Sequence, residues 1–175
     1  MEIIVAVSIL SIMAAGLALR TSGMIDKGRT AKVINLVDTL KTACGAYYLD
    51  TNAYANEYSG YTAPNRKLSA TQTISGWSGP YLDAPLTHDK NPFGGSMHLY
   101  GYVTPGSWIS GFDIDADGSL DVTGQACMLY LSNVSAEAAE VIDEKIDAGL
   151  PGSWEDLGRV VYQSSNKRLL ILVFN

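Results

Sequence analysis

Residues Met1 to Leu19 read MEIIVAVSILSIMAAGLAL and carry a single charge, Glu2. At about 1.5 Å of rise per residue, a helix of this length spans roughly the hydrocarbon core of a bilayer. A carboxylate at the end of such a helix is costly unless something pairs with it. Glu2 stands beside the α-amino group of Met1 and the N–H groups of the helix start, where it can meet a positive end, its own or a neighbour's.

Three readings compete for this run. A secretory signal peptide calls for a basic stretch ahead of the apolar one, whereas Arg20 and Lys27 follow it. A single-span membrane anchor fits the hydropathy. An assembly helix, apolar because it ends in the core of a polymer, fits equally. Small residues Ala14, Ala15, Gly16 and Ala18 would let such helices approach closely.

The net charge of −6 argues against nucleic acid as a partner. A basic band of Arg20, Lys27, Arg29, Lys32 and Lys41 nonetheless follows the apolar run directly. It suits a membrane surface, acidic parts of sister subunits, or simply a solvated helix face. The 175 residues divide into an N-terminal helix over residues 1–50 and a head over residues 51–175 large enough to bury an ordinary core.

Val33, Val37, Leu40, Cys44 and Tyr47 recur at steps of four, three, four and three, one stripe of a helix reaching about Asp50. Gly16, Gly23 and Gly28 each weaken a helix by up to about 1 kcal/mol, so Thr21 to Gly28 is expected to bend or lose helical structure. Thr51 to Asn91 has no sustained period and reads as a long surface connection, with Gly76 to Pro85 as an ordered loop. Strand signals follow at Met97–Val103, Ser107–Asp113, Cys127–Leu131, Arg159–Gln163 and Arg168–Phe174. The last two flank a hairpin turn, Ser164 to Lys167. Ser135 to Ala148 is an amphipathic helix capped by Ser135 and ended by Gly149 and Pro151, with Ala139, Ile142 and Ile146 toward the sheet. The fold class is α+β: a long N-terminal helix on a small, mostly antiparallel sheet.

These residues resemble the type IV pilin superfamily, which includes type IV pilins and the major pseudopilins of type II secretion. The apolar run with its early acidic residue is similar to that family's assembly helix. Gly79-Pro80-Tyr81-Leu82, followed by Asn91-Pro92-Phe93-Gly94-Gly95, is similar to the GPYL and DPWG-type segments of major pseudopilins. The acidic residue is usually fifth in the family's mature chain and is second here, as if the chain were already processed or numbered from an internal point. The resemblance implies subunits held in the inner membrane by the apolar helix. Assembly machinery then extracts them into a helical homopolymer at the cell surface or in the periplasm. Met1 and Glu2 would be the assembly residues, with Glu2 pairing with a neighbour's N-terminal amine. An unpaired buried carboxylate costs several kcal/mol, so the pair would set register.

Asp113-Ile-Asp115-Ala-Asp117-Gly118-Ser119-Leu-Asp121 has the alternating acids and glycine that open an oxygen-ligand calcium loop. Asp113, Asp115 and Asp117 would give side-chain oxygens, Ser119 a carbonyl, and Asp121 a direct or water-mediated contact. Gly124 stands where a bidentate Glu is expected, and the competing reading is an acidic hairpin turn. The resemblance adds that major pseudopilins bind calcium in their C-terminal region, although these acids do not match that site residue by residue. Cys44, on the core-facing stripe, and Cys127, opening an apolar strand, are expected to form a disulfide in an exported chain. His88 and His98 lack zinc spacing and read as ordinary polar residues. No nucleophile motif or phosphate loop occurs, so no enzymatic activity is expected. Two functions remain: a structural filament subunit, or a membrane-anchored calcium-binding surface module.

Overall fold

The computed structural model describes residues 26–58, 65–103, 109–148, 150 and 153–175 in full, and the backbone of the first helix from Glu2. The side chains of the apolar run, and with them the Met1 and Glu2 assembly pair, lie outside the described residues. Among the described residues no helix is long and apolar enough to cross a membrane.

Helix α1 runs from Glu2 to Thr51 as one element, so the expected interruption at Thr21–Gly28 does not occur. One glycine per turn or two costs less than breaking a continuous hydrogen-bond ladder. The stripe behaves as its spacing requires: Val33, Val37, Leu40, Cys44 and Tyr47 are all buried. Residues 26–29, one turn earlier, are exposed.

The stripe lies on a five-stranded antiparallel sheet formed by β1 (Glu57–Tyr58), β2 (Met97–Tyr100), β3 (Cys127–Ser132), β4 (Val160–Gln163) and β5 (Arg168–Phe174). The strand order is β1-β2-β3-β5-β4. Helix α2 (Ala136–Ile146) packs beside α1 and against β4. Ser135 caps it by accepting from Ala138 N at 3.3 Å, satisfying one of the orphan donors of the first turn. Ala139 and Ile142 are buried and Ile146 half-buried.

Both faces of the sheet are covered. Met97, Leu99, Leu129, Leu131, Leu169 and Ile171 meet the α1 stripe on the inner face. Met128, Tyr130, Leu170 and Leu172 meet a flap from the β2–β3 connection, which supplies Val103, Phe112, Val122 and Ala126. This explains why β5 reads as an unbroken apolar run, RLLILVF, since a sheet with one wet face would alternate. The β4–β5 hairpin turns through a 3-10 segment, Ser164–Asn166, with Lys167 at φ 50°.

The strand expected at Ser107–Asp113 does not form over its described residues, 109–113. Over its described part, Phe112 makes an isolated bridge with Val122. Its apolar groups pack downward as part of the flap instead of extending a ladder. The unanticipated strand is β1, which opens the sheet at Glu57. The Glu57 side chain is fully buried, and its carboxylate accepts from Leu68 N at 3.0 Å, Ser69 N at 3.3 Å and the Ser69 hydroxyl. It therefore holds the 65–70 segment against the sheet edge. Further along, Tyr81 packs edge-on against Tyr47, 5.6 Å between ring centroids, and donates to Asp50 at 2.6 Å. The Gly76–Pro85 loop is thus ordered against the C-terminal end of α1.

Candidate functional site

The flap carries the acidic loop. It is pinned at its base by Phe112 N to Val122 O at 3.0 Å and Val122 N to Phe112 O at 3.1 Å. Between these ends the chain turns through Ala116 at φ 59° and Gly118 at φ 90°. A side chain at position 118 would be strained there, whereas glycine is not. Oxygens of Asp113, Asp115 and Asp117 all come within 4.8 Å of one another. Asp115 accepts from Asp117 N at 3.2 Å, and Asp117 from Ser119 N at 2.7 Å. Asp113 differs from its neighbours in being only 4% exposed. Its Oδ2 accepts from Gly118 N at 3.0 Å, while its Oδ1 is buried without a partner. Asp121 stands apart from the cluster, closing the loop by accepting from Ile114 N at 2.7 Å. Ser119 is exposed.

Cys44 and Cys127 meet across the helix–sheet interface as free thiols, both buried and within hydrogen-bond reach of each other. The neighbouring Cys127 sulfur, then burial, pushes the Cys44 thiol well above its ordinary value. The Cys127 thiol also reaches the Ala55 carbonyl at 3.6 Å. His88 and His98, ten positions apart, lie edge to face at 5.1 Å between centroids. Burial, then the neighbouring His88, lowers the His98 pKa. Their pairing depends on the loop that folds back before β2, and sequence spacing gave no sign of it.

On α2, the Asp143 carboxyl is pushed up to about 6 by burial, then by the Asp147 and Glu140 carboxylates. Its Oδ1 is buried without a partner. Because the folded state holds this proton more tightly than the unfolded chain does, its stabilising contribution is full below about pH 4. It is lost as pH rises through about 6. Asp143→Asn should therefore raise the melting midpoint at pH 7.5 and lose that advantage at pH 4. A variant-to-wild-type difference independent of pH would contradict the assignment. Asp147 is also raised by burial, even though its Oδ2 accepts from Arg159 N at 2.7 Å and Val160 N at 2.9 Å.

Residues 24–108, just under half of the chain, match the family model described as PilW, C-terminal. PilW is a family associated with type IV pilus biogenesis, and this segment of the chain is similar to it. The matched segment covers the α1 stripe, the connecting region, β1 and β2. No curated protein and no solved structure matches.

Proposed function

We propose that the chain is a structural subunit of a helical filament of the type IV pilus kind, polymerised through its N-terminal apolar helix. The observation that carries this reading is the division of labour along α1. The helix is 50 residues long, and among its described residues 26–29 are exposed and burial against the head starts at Thr30. The sequence ahead of that point holds a bilayer-length apolar run with small residues and one acid, more than a head domain of this size needs. The family match beginning at residue 24 adds the pilus system as context. Subunits would wait in the inner membrane, and the assembly machinery would bring identical copies together at the cell surface or in the periplasm.

In this reading Glu2 meets a neighbour's N-terminal amine inside the polymer. Removing one partner of a buried ion pair costs about 3–5 kcal/mol. Glu2→Ala should leave the chain in the membrane fraction and sharply reduce the filaments sheared from cells, as counted by negative-stain microscopy. Normal yield with unchanged helical order would refute the role. The acidic loop favours a second reading, a membrane-anchored calcium-binding surface module. Under it, the same sheared material would contain no filaments even from wild-type cells.

A further inference from the structure

The geometry points to a calcium site at Asp113, Asp115 and Asp117 that clamps the flap over the outer face of the sheet. Three carboxylates whose oxygens lie within 4.8 Å of one another repel when ionised. Among the described residues no Lys or Arg forms an ion pair with any of them. Proximity of acids alone would be met by solvation, and Asp115 and Asp117 are indeed exposed. Asp113 is the decisive member. Its carboxylate is withdrawn from water at 4% exposure, one oxygen bonded to Gly118 N and the other, Oδ1, left with no donor. A buried carboxylate oxygen without a donor is expensive, and a divalent cation supplies the missing partner while removing the repulsion.

The donor set selects the ion. All three side chains offer hard carboxylate oxygen, with neither sulfur nor imidazole among them, which suits calcium or magnesium and not zinc or copper. The loop is short and its outer acids face water, so the remaining ligands would be waters and loop carbonyls. Calcium accepts such an irregular shell, while magnesium demands a near-ideal octahedron. Asp121 is engaged with Ile114 N and serves to close the loop. Few protein ligands imply a modest Kd of about 10⁻⁴–10⁻³ M, the range of extracellular modules.

The position of the site gives it a structural task. Phe112 and Ile114 flank Asp113, and both pack in the outer cluster with Met128, Leu170 and Leu172. The Asp113 carbonyl also accepts from Gly158 N at 2.7 Å, in the segment leading into β4. An ion at Asp113 would thus fasten the β2–β3 flap and the start of β4 at one point.

The inference stands apart from the filament reading, because it is tested on the unassembled full chain in detergent. Calcium chloride is titrated calorimetrically, with magnesium chloride as a parallel arm and a melting curve at each end point. One calcium per chain is expected, with a raised midpoint and slower proteolytic cleavage within residues 101–126. Magnesium should bind more weakly. Asp115 is exposed, so Asp115→Asn should fold as the wild type does and lose about tenfold or more in calcium affinity. Asp113→Asn should lose it altogether. Folded wild-type chain that neither takes up calcium nor changes its midpoint at roughly 5 mM would overturn the site. So would calcium uptake undiminished by Asp115→Asn, which would place the ion elsewhere.

Discussion

The full chain refolded in detergent under oxidising conditions should melt about 10 °C above the chain refolded reduced, on the usual conversion of free energy to temperature for a chain of this size. The expectation rests on Cys44 and Cys127, which face each other between α1 and the first residue of β3. A bond there would close a loop of about eighty residues. On the chain-entropy model such closure is worth about 4.5 kcal/mol, before any native strain is subtracted. Cys44 is 1% exposed and Cys127 fully buried, and the raised Cys44 thiol is a poor nucleophile. Closure therefore belongs to the folding stage, in an oxidising compartment where an enzyme disulfide can accept the electrons. Each bond formed passes two electrons and two protons to that enzyme's disulfide, which becomes a dithiol. In the folded, reduced chain both thiols should resist alkylation until denaturant is added. Non-reducing peptide mapping of protein isolated from the envelope reads the outcome directly, and unlinked peptides at both positions would rule the bond out.

The second large effect is expected at Glu57. Glu57→Ala should cost about 3–4 kcal/mol, because it strands buried donors that the carboxylate now satisfies. Leu68 N loses its acceptor while Leu68 itself remains fully buried. Glu57→Gln keeps the shape and one acceptor oxygen, so it should recover a substantial part of the loss. Chemical denaturation of the two variants separates this from simple loss of packing. Equal destabilisation by Ala and Gln would show that the charge, and not the acceptor geometry, holds the segment.

Glu57 also marks the limit of what the residues disclose by pattern. The α1 stripe from Val33 to Tyr47 was legible because burial on a helix imposes a 3.6-residue period. Strand β5 was legible as an apolar run of strand length, and Ser135 as a cap, because each signal is local. Glu57 lies in a polar, tyrosine-rich stretch, and its burial depends on Leu68 and Ser69, more than ten residues away. No window of the sequence contains that fact. The same holds for the flap. Ile109, Phe112 and Ile114 have the composition of a strand, but they cover a sheet face, and only the tertiary arrangement separates the two uses. At the acidic loop, the Asp-x-Asp-x-Asp-Gly spacing predicted the clustering of oxygens. It did not predict that Asp113 alone would be withdrawn from water, because that follows from the packing of Phe112 and Ile114 beside it. Asp121, expected as a ligand by position, is diverted to a backbone donor by the turn itself.

The strand order has a consequence in time. β5 follows the other four described strands in the chain, yet it sits between β3 and β4, pairing with both. Until Arg168–Phe174 emerges, β3 offers an open edge of apolar residues and the α1 stripe faces half a platform. The head therefore cannot close progressively from its N-terminus during synthesis, and its pairing of distant segments is intrinsically slow. Under the proposed membrane-held subunit, the chain would spend that interval tethered, away from other unfinished copies in solution.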